Sequence, residues 1–101
     1  RKPSAEGARY AERLVAGVTA GRADLDARIE AVLENWRFDR VSAVDRIILE
    51  IALYELLECA EVPAAVVMDE AIEIARRYSG EKAGDFVNGI LDRLAREVRG
   101  G

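Results

Sequence analysis

A chain of 101 residues, half of them apolar and a third charged, with a net charge of −4, has the length and make-up of one soluble domain. Its acidic balance argues against a non-specific nucleic-acid binder, whose affinity comes from a positive field. It has no histidine and one cysteine, Cys59. This excludes an internal disulfide and a histidine-based nucleophile triad, and leaves zinc only an all-carboxylate shell.

In chain order, residues 1–5 read as a frayed start. From about Glu6 to Ala20, Tyr10, Leu14, Val15 and Val18 recur at helical spacing, and Gly21 is placed to end that helix. Ala23 to Asn35 reads as a second helix, with Leu25, Ile29, Val32, Leu33 and Trp36 as its stripe. Trp36 to Arg40 breaks the rhythm. It reads as a short connection whose aromatics, Trp36 and Phe38, plug the core; Arg40 is either a surface charge or a tie for this loop.

Val44 to Leu57 is the most apolar run. Its charged residues are too widely spaced to leave a broad wet face, so the helix is expected to be covered on most of its circumference. Ser42 and Asp45 form an S-x-x-D capping box that starts it near Ala43. It is too short and too charged to cross a bilayer, and no signal peptide or membrane-spanning run is visible in the sequence. Pro63 opens a fourth helix to Tyr78, with Val67, Ala71, Ile74, Ala75 and Tyr78 on one side. Ser79-Gly80 stops it. The last helix runs from about Glu81 to Val98 on Phe86, Val87, Ile90, Leu91, Leu94 and Val98, with Gly84 and Gly89 inside it. The fold class is all-α: an antiparallel bundle of about five helices around a central apolar one, in a single domain over residues 1–101.

No phosphate-cradling glycine loop follows a strand, and carboxylate pairs such as Asp69/Glu73 and Glu70/Glu73 are of a kind common on solvated helix faces. The residues therefore argue for a non-enzyme without cofactor or metal. What remains is surface recognition. The junction Arg76-Arg77-Tyr78-Ser79-Gly80-Glu81-Lys82 brings cations, an aromatic and a fresh helix N-terminus together, with Phe86 one turn on. Read without further context, Tyr78 and Phe86 are core residues and the cations are solvated.

Three groups of residues change that balance. They are Asp45-Arg46 with Ile51-Ala52-Leu53-Tyr54-Glu55-Leu56, then Val62-Pro63 with Asp69-Glu70-Ala71, then Phe86-Val87-Asn88-Gly89-Ile90-Leu91. Together with Leu14-Val15-Ala16-Gly17-Val18 and Asn35-Trp36, they closely resemble the bacterial transcription antitermination factor family NusB, over residues 6–98. The resemblance implies an all-helical cytoplasmic protein that binds boxA-type RNA together with ribosomal protein S10, in support of the transcription elongation complex. It implies RNA contacts at the start of the last helix: Glu81, Lys82 and Phe86, with Arg76 and Arg77 beside them, and Phe86 at least partly exposed. It implies a face for the basic ribosomal protein along the hub and the fourth helix, with Glu55, Glu58, Asp69, Glu70 and Glu73 as candidates. Family members usually carry some forty more residues at the N-terminus. The expectation is that this part is missing, that RNA binding by this chain alone is weak, and that an uncovered apolar patch drives a homodimer or domain-swapped oligomer. Two other readings stay open: the NusB-like domain of a ribosomal RNA cytosine methyltransferase, and a structural helical protein without an RNA role.

Overall fold

The computed structural model describes residues 5–33 and 38–100. They form α1 (Ala5–Val32), a 3-10 turn (Phe38–Arg40), α2 (Ala43–Glu58), α3 (Ala64–Ser79) and α4 (Glu81–Arg99). The all-α class stands, but the described residues hold four α-helices rather than about five. Gly21 does not stop the first helix: α1 runs through it for 28 residues. Val18, Leu25, Ile29 and Val32 are all buried along one stripe of α1. Burying those side chains, worth roughly 2 kcal/mol each, outweighs a helical glycine costing about 1 kcal/mol. Trp36 and the expected helix end at Asn35 lie outside the described residues. Phe38 is buried as the sequence suggested, and the Arg46 guanidinium sits 5.9 Å from the centre of its ring.

α2 is the hub and packs against α1, α3 and α4. Its start is capped as the S-x-x-D pattern requires, with the Asp45 N–H donating to the Ser42 hydroxyl at 3.2 Å. The Asp45 carboxylate is itself buried and accepts a bond from the Ser79 hydroxyl at 3.0 Å. The beginning of α2 is thereby tied to the end of α3. At the other end of α2 the Glu55 carbonyl accepts the Cys59 N–H and the Cys59 carbonyl the Val62 N–H, and the last carbonyls are open to further donors. The Arg99 guanidinium supplies them: its Nε donates to Leu56 O at 3.0 Å, and its Nη2 to Glu55 O and Cys59 O at 3.1 Å each. Nη1 reaches Val62 O in the following turn. The buried Cys59 is the cap residue of this end.

Pro63 is the residue before α3 rather than its first residue. Gly80 joins α3 to α4 with φ +98°, in the region where L side chains are strained. Leu49, Leu53, Val87 and Leu91 are fully buried where α2 meets α4, and Ala75 of α3 is buried with them.

The opposite side of the hub departs from expectation. Val44 and Ile47 are 45% and 48% exposed, so the cover, which takes in most of the circumference of α2, leaves one strip of it open. α1 and α3 flank α2 but scarcely touch each other, which leaves a gap over it. For the same reason Ile74 (44%) and Tyr78 (71%) are exposed while Val67, Ala71 and Ala75 of the same helix are buried. Val15, expected in the α1 stripe, is 64% exposed. It lies off the line through Val18 and Leu25, and among the described residues no helix covers that side.

Candidate nucleic-acid interface

α4 begins directly after Gly80, which has no side chain to cap it. Lys82 lies in the first turn of α4 and Phe86 one turn later, on the side facing the entry to α2. There the 3-10 turn presents Arg40, and Ser42 caps α2. The result is a cleft of about 350 Å³ lined by Arg40, Val41, Ser42, Asp45, Lys82, Ala83 and Phe86. Arg40 and Lys82 are exposed, and neither makes an ion pair among the described residues. Phe86 is half-buried and offers part of its ring to the opening. Two free cations beside an aromatic surface and a serine hydroxyl suit a nucleotide: phosphate to the cations, base to the ring. The buried Asp45 carboxylate is turned to Ser79.

The residues expected here from sequence divide into two groups. Lys82 and Phe86 line the cleft. Arg76, Arg77 and Glu81 do not. Arg76 reaches across the junction to Glu81 at 3.4 Å and Asp85 at 4.0 Å, and its side chain lies against Gly84 where a Cβ would be. That contact supplies the packing reason for a glycine inside α4. Arg77 pairs with Glu73 on its own helix at 3.6 Å. These two arginines are thus partly neutralised by neighbouring acids. Arg40 is the cation that sequence reasoning left undecided. Its signal was present: the capping box fixes Ser42 at the helix start, so a residue two positions earlier stands at the mouth of the same corner.

The five acids suggested for a basic partner do not form one patch. Glu55 is half-buried and accepts a hydrogen bond from the Tyr10 hydroxyl at 2.7 Å. Burial pushes its carboxyl above the usual range, Glu70 adds to this, and the Tyr10 bond opposes it. Burial also raises the Tyr10 phenol, as does its bond to Glu55. Glu55 and Glu70 share one groove, whereas Glu58 lies beside Gly17 and Tyr54 in another depression. Asp69 and Glu73 are exposed on α3.

Among the described residues no group of three or more His, Cys, Asp or Glu is placed to hold a metal ion, and no helix is long and apolar enough to cross a membrane.

Residues 1–96 match the model of the NusB family. The transcription antitermination protein NusB of Sorangium cellulosum is 45% identical over 93 residues, covering 92% of this chain and 66% of that protein. A Listeria monocytogenes NusB is 48% identical over 88 residues, covering 87% and 69%. Among solved structures, T. maritima NusB superposes with a TM-score of 0.89 at 45% identity, over 93% of this chain and 66% of that one. A chain in a crystal structure of a plectonemic RNA supercoil also gives 0.89, at 28% identity, over 95% and 70%. The chain thus spans about two thirds of the length of the relatives it matches.

Proposed function

Because the chain belongs to the NusB family, we propose that it serves transcription antitermination as a docking scaffold, holding boxA-type RNA together with ribosomal protein S10 for the elongation complex in the cytoplasm. As a NusB-family protein it is not an enzyme. The whole of residues 1–101 acts as one helical unit in this reading, and no bond is made or broken on it.

One observation carries the RNA half of the proposal: Arg40 and Lys82, without an ion pair among the described residues, flank the half-buried Phe86 at the start of α4. RNA is gripped where single-stranded bases can be splayed out, stacked on an aromatic and held by their phosphates. The first-turn N–H groups of α4, uncapped by any side chain, add donors for a phosphate. Arg76, Arg77 and Glu81 are assigned the rim, where the Arg76–Glu81 and Arg77–Glu73 ion pairs weaken a direct role. For the ribosomal protein, Asp69, Glu70 and Glu73 on α3 and Glu55 and Glu58 toward the end of α2 offer separate acidic contacts to a basic surface rather than one patch.

The test is an anisotropy titration of labelled boxA RNA, with and without S10, at several salt concentrations. S10 should tighten RNA binding. Lys82→Ala and Arg40→Ala should each weaken it and lower the slope of log K against log salt by roughly 0.7, the single-strand value per phosphate contact. Phe86→Ala should cost about 1–3 kcal/mol without changing the slope. Three variants that all bind like the parent would remove the cleft from the proposal. A parent that S10 does not help would remove the joint scaffold.

A further inference from the structure

The contact between α1 and α2 encloses two carboxyl groups. Glu50 of α2 is 4% exposed, and Asp26 of α1 adjoins it. The Asp26 Oδ1 atom is shut from water and meets no hydrogen-bond donor among the described residues. Ionised carboxylates only accept, so two of them side by side leave that oxygen unsatisfied at a cost. One proton between them supplies the missing donor, with the Glu50 O–H donating to Asp26 Oδ1. Two arginines bear on the pair. Arg22 of α1 lies 3.4 Å from Glu50 Oε1. Arg46 precedes Glu50 by four residues on α2, one turn away on the same face. The side chains that α3 and α4 bury in the core, Val67, Ala71, Val87 and Leu91 among them, are apolar. The charges that act on Glu50 therefore come from α1 and from its own helix.

Arg46 has two competing partners. Its guanidinium sits 5.9 Å from the centre of the Phe38 ring, while its Nε, also shut from water, has no acceptor among the described residues. Phe38 opens the 3-10 turn that ends at Arg40, a cation of the cleft. We propose that Asp26 and Glu50 share one proton, and that this proton decides whether Arg46 rests on Phe38 or turns to Glu50. With the proton in place, Glu50 offers Arg46 no full charge, and the guanidinium stays over the ring. Without it, Glu50 is an anion one turn away, an acceptor for the Nε–H that has none. Arg46 then leaves the ring, and the turn that carries Arg40 loses its brace. Burial pushes the Glu50 carboxyl up to about 7, the Asp26 carboxyl adds to this, and Arg22 and Arg46 oppose it. The switch therefore falls at neutral pH. Only its last step, from the turn to RNA affinity, rests on the reading of the cleft as an RNA site.

A pH titration of the chain, followed by NMR of its carboxyl carbons, tests the proton without RNA. The Asp26 and Glu50 signals should move together through a midpoint of about 7, and the Phe38 ring signals should move with them. Asp26→Asn should shift that midpoint to lower pH. Glu50→Gln should hold the Phe38 signals constant where the parent's move, with circular dichroism showing unchanged helix content. Arg46→Gln should remove the ring response and keep the carboxyl one. Labelled boxA RNA should bind the parent roughly threefold more weakly at about pH 8 than at about pH 6, the size of one exposed cation–π contact. Glu50→Gln should bind it equally at both. Carboxyls that titrate separately in the ordinary acid range overturn the shared proton. Ring signals that ignore the carboxyl titration, or that follow pH in Glu50→Gln, overturn the switch. RNA affinity that stays level while the ring responds overturns the link to the cleft. A parent that binds no RNA at either pH counts against the antitermination reading, and the NMR midpoints still decide the proton and Arg46.

Discussion

The two sides of α2 are made of the same residue types and behave differently. Toward α4, Leu49 and Leu53 are wholly buried against Val87 and Leu91, and Arg99 seals the helix end. Toward the groove, Val44 and Ile47 stand nearly half exposed. An apolar run therefore records that a helix is costly to leave in water, but not which of its faces a neighbour covers. Coverage is decided by how many helices are present and how far apart they stand.

The largest expected effect separates these sides directly. Leu91→Ala should cost about 3 kcal/mol, because it empties a fully buried site that cannot collapse. Ile74→Ala should cost less than about 1 kcal/mol, since nearly half of that side chain already meets water. Urea unfolding at low protein concentration measures both. Equal costs would mean that the groove is filled in solution and the contrast is false.

Next in size is the seal. Arg99→Ala removes charge-assisted bonds to four carbonyls and should cost about 2 kcal/mol. Arg99→Lys should recover only part, because a single ammonium cannot reproduce the planar fork. An Arg99→Ala protein that unfolds at the parent's urea midpoint would show that water satisfies those carbonyls equally well.

A third effect lies where α1 crosses α2. Glu50 is 4% exposed, with Arg22 at 3.4 Å and Asp26 adjoining it. Burial pushes its carboxyl up to about 7 from an ordinary 4.5, the neighbouring Asp26 carboxyl adds to the shift, and Arg22 and Arg46 oppose it. A group raised in the folded state holds its proton more tightly there than when unfolded. Its contribution is complete below about pH 4.5 and is lost as pH rises through about 7. Glu50→Gln should therefore stabilise the chain relative to the parent at pH 8, with the advantage shrinking toward pH 5. Thermal melts with a constant difference between the two proteins over that range would refute the assignment.

What the sequence made legible follows the same division. The capping box at Ser42, the class of the fold and the stripe Val87, Leu91 and Leu94 depend on local pattern, and the structure reproduces them. Lys82 and Phe86 were singled out by the family resemblance and sit one turn apart on one helix, which brings both to the same cleft. Arg40 was left undecided because its partnership with them is made across the chain. Gly21 was misread as a stop because a glycine signal was weighed above the Val18, Leu25, Ile29 and Val32 spacing that runs through it. Arg99 was missed outright: an arginine at the end of a helix looks like a dipole complement, and only the tertiary fold brings it to the end of a different helix.

The smallest effect is a gain at Gly89, set beside a glycine with opposite surroundings. A Cβ on Gly17 would strike the ring of Tyr54, so Gly17→Ala should cost about 1–3 kcal/mol as the ring is displaced. A Cβ on Gly89 meets nothing within 4 Å. The exposed helix there should gain from Gly89→Ala, by about 1 kcal/mol at most, read as a higher urea midpoint. Nothing within the described chain explains a glycine at that position, in contrast to Gly84 under Arg76. If Gly89→Ala stabilises the isolated chain yet weakens its joint complex with RNA and S10, close approach from outside becomes the reason. If it leaves the complex intact, the residue is merely tolerated, and the exposed face of α4 at Asn88-Gly89 is solvent surface.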